Sequence, residues 1–254
     1  MSRSQLPRRL VLSASLGLAA PALITSRSAR AATEVDVELI LAVDVSRSVD
    51  TEEMEMQMRG YAEAFRDPRL AEGIAGGPLG AIAVTLFVWS DWNIQNTLVP
   101  WMKLEDSTSC ERFARAIDGA SRETYLYTSI SGAIDYASQQ FGQRYDGMRR
   151  VVDISGDGVS NSGRPLAAAR AEALEKGIVL NGLAVLDRSP QPAVLLAGLP
   201  PVDEYYRDEV IGGPGAFLMV AEGYDAFANA VRRKIIREIA AVPAQGPLVE
   251  RAFG

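Results

Sequence analysis

Val37-Glu-Leu-Ile-Leu-Ala-Val43 is a nearly continuous apolar run, and it leads directly into Asp44-Val-Ser46-Arg-Ser48. A short apolar run of this kind is typical of a strand that is buried on both faces, as in a parallel sheet. The polar residues that follow stand where the strand ends. Because ligands of an open parallel sheet gather at the carboxyl ends of its strands, this junction is a candidate functional site.

Strands and helices alternate along the rest of the chain. Asp50-Thr-Glu-Glu53 has the form of a helix-start box, and Pro68 is expected to end the helix that follows it. Pro100 indicates that the third strand lies at an edge of the sheet or ends early. The alternation predicts an α/β fold with a Rossmann-like, doubly wound, mostly parallel central sheet flanked by helices. The later predicted strands are residues 80–89, 96–101, 150–155, 178–186 and 215–220, and the later helices are 110–117, 129–141, 165–176 and 224–241.

The first 31 residues differ from the rest of the chain. They hold five of the 26 basic residues and none of the 32 acidic ones, and an apolar run from Leu10 to Ile24 precedes Ala29-Arg30-Ala31. Basic, then apolar, then small residues are the order of an export signal, and this run is shorter than a membrane span of roughly 20 residues. We therefore expect an export signal peptide over residues 1–31, one domain over 33–241 and a C-terminal tail over 242–254. An uncleaved N-terminal anchor is the alternative.

The pair Arg8-Arg9 resembles a twin-arginine signal, but Pro7, Val11 and Ser13 depart from that pattern. Both the Sec and the Tat routes therefore remain open, and either one predicts a periplasmic or secreted bacterial protein. Without residues 1–31 the net charge is −11, so nucleic acid is not an expected partner.

The chain contains no histidine and one cysteine, Cys110. The first absence excludes Ser-His-Asp and Cys-His catalysis and the zinc sites that contain histidine. The single cysteine excludes an internal disulfide. Cys110 is interpreted as a small buried hydrophobe, with an intermolecular disulfide as the alternative.

Further polar residues join the first strand end. Ser155-Gly156-Asp157-Gly158 ends a later strand, and Thr128 precedes the helix that leads to that strand. The candidate ligands offer two carboxylates and three hydroxyls, and oxygen sets of this kind suit Mg²⁺, Mn²⁺ or Ca²⁺ rather than zinc or copper. Two carboxylates neutralise a divalent ion, which is then able to accept another carboxylate from outside. The candidate metal ligands are Asp44, Ser46, Ser48, Thr128 and Asp157.

These three pieces, in this order, resemble the metal-ion-dependent adhesion site of von Willebrand factor A domains. The resemblance covers roughly residues 35–241, and it implies a divalent cation, with Mg²⁺ favoured. It also implies that Ser46, Ser48 and Thr128 contact the metal, whereas Asp44 and Asp157 bind it directly or through water. Within that superfamily the chain is most similar to a group of bacterial exported proteins of unknown function. The segments that carry this closer resemblance are Ile154–Asn161, Gly177–Leu183 and Val210–Phe217.

One position departs from the superfamily pattern. Threonine often precedes the Asp-Gly pair, whereas this chain has Gly156, and Ser155 is then the expected source of the missing hydroxyl. Asp153 is interpreted as a structural acid within its strand. Gly212-Gly-Pro-Gly215 is interpreted as a tight turn, because it lacks the spacing and the lysine of a phosphate-binding loop. Trp92 follows a strand end and is a candidate for the rim of the site.

The resemblance favours a metal-dependent binding module whose cation is completed by an Asp or Glu carboxylate of a protein or surface ligand. The alternative is a metal-assisted phosphoester hydrolase with Asp44 as its nucleophile. Against the hydrolase, Ser46 stands where haloacid-dehalogenase-type enzymes place a second aspartate. A third hypothesis is a site that has lost metal binding and acts only as a scaffold. The individual residues also have structural interpretations, as turn residues for Ser46 and Ser48 and as caps for Asp44, Thr128 and Asp157.

Overall fold

The computed structural model describes residues 32–46, 48–119, 126–186, 198–239 and 248–253. The predicted export signal, residues 1–31, lies outside the described residues and remains a prediction. The strands are β1 (Thr33–Asp44), β2 (Ile82–Trp89), β3 (Gln95–Leu104), β4 (Tyr145–Gly156), β5 (Ile178–Val185), β6 (Phe217–Ala221) and β7 (Leu248–Ala252). The helices are α1 (Thr51–Phe65), α2 (Pro68–Ala75), α3 (Ser107–Asp118), α4 (Ile130–Gln140), α5 (Leu166–Glu175), α6 (Val202–Tyr205) and α7 (Phe227–Ile239).

Over the described ranges, the seven strands form one sheet in the order β3-β2-β1-β4-β5-β6-β7. Every neighbouring pair is parallel except β2 and β3, which are antiparallel. A π-helical turn, Tyr206–Val210, continues α6, and a 3-10 turn, Tyr224–Ala226, leads into α7. The predicted α/β fold with a mostly parallel sheet is confirmed.

The central strand β1 is buried on both faces. Leu39 and Leu41 pack in the layer that contains α1, α3 and α7, whereas Ile40 and Ala42 pack in the layer that contains α4 and α5. Successive side chains of a strand point to opposite faces, so a strand between two helical layers needs apolar residues at nearly every position. The nearly continuous apolar run that predicts the fold is the direct result.

The start of α1 follows its predicted capping box. Asp50 accepts a hydrogen bond from the backbone N–H of Glu53, and the Glu53 carboxylate accepts one from the backbone N–H of Asp50. Pro68, however, does more than end this helix. It is the first residue of α2, whose N-cap is Asp67, and proline is well suited to the first helical position because no intrahelical partner awaits its missing N–H.

The edge strand β3 is irregular. Its pairing with β2 shifts register between Val84 and Leu86 and again between Leu86 and Phe87. Pro100 lies within the strand and is exposed. The predicted edge position of this strand is confirmed.

The strand β7 differs from the irregular tail that the sequence predicts over residues 242–254. It pairs in parallel with β6, from Phe217 opposite Leu248 to Ala221 opposite Ala252. Ion pairs of Arg251 with Asp203 and Glu222 hold the strand in place. The outer edge of β6 would otherwise leave its backbone N–H and C=O groups without strand partners, which explains why even a short segment docks there.

A buried ionic cluster joins β4 to α7. Lys234 Nζ lies 2.6 Å from Asp153 Oδ1 and 2.5 Å from Glu238 Oε1, and all three side chains are buried. Asn181 Nδ2 donates a hydrogen bond to Glu238 Oε1, and Asn181 Oδ1 accepts one from the backbone N–H of Phe217. The interpretation of Asp153 as a structural acid is therefore confirmed.

The structure also agrees with the interpretations of Cys110 and of the glycine-rich segment before β6. Cys110 is buried in α3, and burial raises the pKa of its thiol to about 11, which agrees with a small core residue that is rarely ionised. Gly213 and Gly215 adopt positive φ angles of 96° and 75° in the segment before β6. L-residues rarely adopt this conformation, so Gly212-Gly-Pro-Gly215 is the tight turn that the sequence predicts.

Candidate metal centre

The carboxyl ends of β1 and β4 meet at one edge of the sheet. The two strands pair in parallel, with Val43 opposite Ser155. Asp44 is the last residue of β1, and Asp157 comes directly after the last residue of β4. Two carboxylates that are far apart in the sequence are thereby carried to neighbouring strand tips.

The loop after β1 links these two carboxylates through serine side chains. The backbone N–H of Ser46 donates to Asp44 Oδ1 at 2.7 Å, and the Oγ atoms of Ser46 and Ser48 are 3.3 Å apart. Ser48 Oγ then donates to Asp157 Oδ1 at 2.6 Å. Four of the five predicted site residues therefore form one continuous chain of polar contacts.

Thr128 approaches the site from the loop that precedes α4. Its backbone N–H donates to Asn161 Oδ1 at 2.9 Å, and its carbonyl oxygen accepts from the backbone N–H of Asn161 at 2.8 Å. A Cβ atom placed on Gly158 would lie 4.0 Å from Thr128 Oγ1, so the threonine hydroxyl faces the residue that follows Asp157. Hydrogen bonds to the loop after β4 thus hold Thr128 at the same edge of the sheet as Asp157.

Asp44 is strongly perturbed by its surroundings. Burial raises the pKa of its carboxyl group well above the ordinary value, the negative charge of Asp157 raises it further, and hydrogen bonds from Ser46 act in the opposite direction. Asp44 Oδ2 is buried and has no hydrogen-bond partner among the described residues. A buried carboxylate beside a second carboxylate is costly unless a proton or a cation compensates its charge.

The donor set passes a chemical test for a divalent cation. Asp44 Oδ2 is a buried oxygen with no protein partner within the described part of the chain, and the neighbouring oxygens are hydroxyls and a carboxylate. Hard oxygen donors of this kind are preferred by Mg²⁺, Mn²⁺ and Ca²⁺.

Two tyrosines at the site were not predicted from the sequence. Tyr224 lies in the turn before α7, and its hydroxyl donates to Asp157 Oδ2 at 3.1 Å. Tyr206 is fully buried, and its hydroxyl lies close to Gly156 and Asp44. Both come from turns at the far end of the chain, and no motif or spacing marks them out.

The expectation that Ser155 supplies the hydroxyl missing at position 156 is wrong. Ser155 Oγ donates to the carbonyl oxygen of Ala42 within the sheet, at 3.4 Å. Its side chain lies on the same face as the phenol of Tyr61, opposite the face to which position 156 points, because adjacent strand residues alternate.

Exposed apolar side chains lie next to the site. Leu126 and Tyr127 immediately precede Thr128 and are 67% and 53% exposed. Trp92 is 63% exposed, and its backbone lies where a side chain at Gly132 would otherwise extend. We call Trp92, Leu126 and Tyr127 the apolar rim. The position of Trp92 at the rim of a binding site stays a prediction.

A family model described as protein of unknown function (DUF1194) matches residues 34–243. The chain belongs to this family. No curated protein is significantly similar to this DUF1194 chain.

Solved structures with the same fold are similar to the DUF1194 chain at low sequence identity. Proximal thread matrix protein 1 from the mussel byssus, in a structure with a zinc-occupied MIDAS motif, is 15% identical with a TM-score of 0.54 over 82% of this chain and 49% of its own. The hypothetical protein BatB from Bacteroides thetaiotaomicron is 20% identical with a TM-score of 0.51 over 81% and 100%. A von Willebrand factor type A protein from Catenulispora acidiphila is 13% identical with a TM-score of 0.52 over 81% and 43%.

These likenesses establish a von Willebrand factor A-like fold for the DUF1194 chain. The chain spans about half the length of the mussel byssus protein structures that it matches. Among the described residues of the DUF1194 chain, no helix combines the length and the apolar character that a membrane crossing requires.

Proposed function

We propose that this protein is a metal-ion-dependent binding module of the bacterial envelope. Asp44, Ser46, Ser48, Thr128 and Asp157 hold one divalent cation, with Mg²⁺ favoured, and an Asp or Glu carboxylate of a protein or surface ligand completes the coordination. The single observation that carries this proposal is the buried, unpartnered Oδ2 of Asp44 beside Asp157, as seen over the described residues.

The chemistry of the site supports a binding role. A divalent cation bound by two carboxylates and neutral hydroxyls is left with no excess negative charge around it, so it remains attractive to an external anion. One protein of the same fold has been solved with zinc in its MIDAS motif. The order of basic, apolar and small residues in the first 31 positions supports export to the envelope.

The apolar rim supports a protein as the partner. A carboxylate on a flexible polar polymer has little use for a tryptophan, a tyrosine and a leucine, whereas protein interfaces are enriched in aromatic contacts at their centres. We therefore propose that the partner presents its carboxylate next to apolar side chains that cover Trp92 and Tyr127.

Ser48→Ala is expected to weaken cation binding by about tenfold or more while leaving the fold intact. Ser48 is exposed, so its removal opens no core cavity, but its Oγ is the link between Ser46 and Asp157. Loss of groups that support a metal site typically reduces affinity by about 10–100-fold, and loss of a direct ligand should cost at least as much.

Cation affinity should be measured by calorimetric titration of the purified protein with Mg²⁺, Mn²⁺ and Zn²⁺. Unfolding measured with and without cation gives a second readout. Wild-type protein is expected to gain about 2.7 kcal/mol of stability at a cation concentration of about 100 times Kd. Ser107→Ala, which replaces an exposed serine at the start of α3, is the matched control and should behave as wild type. Absence of any cation-dependent stabilisation of the wild type would contradict the proposal. Turnover of a phosphoester that depends on Asp44 would point to the hydrolase instead.

Trp92→Ser combined with Tyr127→Ser is expected to reduce capture of the partner at least about tenfold without changing cation affinity. Exposed aromatic side chains contribute strongly to binding when a partner buries them, whereas these two side chains are not predicted cation ligands. The measurement is a pull-down from bacterial envelope extract in Mg²⁺ and in chelator. Met148→Ser is the matched control, because Met148 is equally exposed but lies near the start of β4, away from the strand tips. Capture that persists in chelator would contradict the proposed role of the cation.

A further inference from the structure

The side-chain space at Gly156 is filled by another part of the chain. Gly156 is the last residue of β4, and a Cβ atom placed on it would lie 2.5 Å from Tyr206 Oη and 2.9 Å from Asp44 Oδ2. Real Cβ atoms essentially never approach other atoms so closely. Any residue with a side chain at this position would therefore collide with the phenol of Tyr206 and press on the carboxylate of Asp44.

The two oxygens that face this gap are complementary. Tyr206 Oη and Asp44 Oδ2 are both buried, and each lacks a hydrogen-bond partner among the described residues. One belongs to a hydroxyl that donates, and the other belongs to a carboxylate that accepts. Buried polar groups are nearly always paired, either directly or through an ordered water molecule. Both oxygens lie within 3 Å of one point, so they are close enough for a direct hydrogen bond after a side-chain shift or for a bridge through one water molecule.

A second glycine makes room for the ring of Tyr206. Gly182 lies on β5, and a Cβ atom placed on it would lie 3.0 Å from Tyr206 Cδ1. The ring therefore lies against the backbone of β5 while its hydroxyl reaches the end of β4. Gly156 on β4 and Gly182 on β5 both lack a side chain where Tyr206 passes. The backbones of these two neighbouring strands therefore fix the position of the phenol.

We propose that Tyr206 is a positioning residue for the cation site. Its hydroxyl donates to one lone pair of Asp44 Oδ2 across the gap at Gly156, which leaves the other lone pair for the cation and holds that carboxylate in its binding orientation. This inference rests on the proposed function. It also explains the departure at position 156, since the hydroxyl that a threonine would provide from β4 comes here from the turn that follows α6. A group that orients a ligand in this way tunes the metal affinity without touching the ion.

Tyr206→Phe is the direct test, because it removes one oxygen and keeps the ring that packs on Gly182. We expect Mn²⁺ and Mg²⁺ to bind about tenfold more weakly in calorimetric titration, while the melting temperature in chelator stays close to that of wild type. Tyr61→Phe is the matched control, since it removes a buried phenol oxygen on the opposite face of the sheet, beside Asp153 and Ser155. It is expected to leave cation affinity unchanged.

A pair of double variants separates the hydroxyl from the space that it occupies. In the Tyr206→Phe background, Gly156→Ser returns a hydroxyl from β4, whereas Gly156→Ala fills the same space without one. We expect the serine variant to recover most of the lost cation affinity and the alanine variant to remain about tenfold weaker than wild type. Recovery of affinity by the alanine variant to the same level as by the serine variant would show that only space matters at this position, and would overturn the proposal.

The outcomes distinguish this inference from the function on which it rests. If wild-type protein binds no divalent cation, both fail. If wild-type protein binds the cation and Tyr206→Phe binds it equally well, the role of Tyr206 alone is overturned. A drop in affinity accompanied by an equal drop for Tyr61→Phe would show a general loss of stability, and would likewise overturn it.

Discussion

Lys234→Met is expected to destabilise the folded protein by about 3–5 kcal/mol. Lys234 is fully buried and contacts both Asp153 and Glu238, so its removal leaves two carboxylates in the core without their cation. Breaking a buried ion pair from one side is far more costly than the net contribution of the pair, because the remaining charge has lost its hydration as well as its partner.

The stability lost in Lys234→Met should depend on pH in a defined direction. Burial already raises the pKa of Asp153 to about 7 in the wild type, and the positive charge of Lys234 opposes that rise. A carboxyl group with a raised pKa in the folded state favours folding least when it is ionised, so stability falls as the pH rises from about 4 through 7. Without Lys234 this fall should become larger and extend to higher pH.

Denaturant unfolding of Lys234→Met at pH values on either side of 7 measures both effects. Lys176→Met, an exposed lysine at the end of α5, is the matched control and should stay within about 0.5 kcal/mol of wild type. Adding Asp153→Asn and Glu238→Gln to Lys234→Met should recover much of the stability, because no unpaired charge then remains in the core. Wild-type stability of Lys234→Met would contradict the role assigned to this cluster.

Asp44→Asn is expected to abolish the stabilisation by divalent cations and to raise stability when cations are removed. The first effect follows from loss of a negatively charged ligand at the proposed site. The second follows from the raised pKa of Asp44, since burial and the charge of Asp157 make its ionised form unfavourable in the folded state. Each unit of such a shift corresponds to about 1.4 kcal/mol, so relief of this penalty should be measurable.

The expected rise in stability without cations makes Asp44→Asn informative, because most substitutions of buried residues lower stability. The wild-type carboxyl destabilises the cation-free fold increasingly as the pH rises above its ordinary pKa, and asparagine removes that dependence. In chelator, Asp44→Asn should therefore melt at a higher temperature than wild type. In millimolar Mg²⁺, it should melt at a lower temperature than wild type. Asp225→Asn, an exposed acid in the turn that carries Tyr224, is the matched control. If Asp44→Asn lowered stability in chelator, the penalty inferred for the buried carboxylate would be wrong.

Strand positions and the gathering of polar residues were predictable from the sequence. The apolar run before Asp44 indicates a strand buried on both faces, and parallel pairing carries its end to the same edge as Asp157. Metal binding by these residues stays a prediction. Their contacts depend on short loops whose serines lie two residues apart, which is a local pattern that a sequence displays directly.

Other features were not predictable because they depend on tertiary packing. Tyr224 reaches Asp157 from 67 residues away, and nothing in its local sequence distinguishes it from the other tyrosines. Lys234 lies on the buried face of α7, where lysine is rare, and its burial is compensated by Asp153 and Glu238. The strand β7 has five residues and no clear alternation, so the open edge of β6 decides its conformation.

The irregular strand β3 has a consequence for behaviour at high concentration. A straight, regular edge strand presents a row of free amide and carbonyl groups to which other molecules add as further strands. Register irregularities of this kind generally bend and twist a strand, and Pro100 has no backbone N–H to donate. This border of the sheet is therefore a poor template for fibril growth, and the protein is protected there against amyloid-like aggregation.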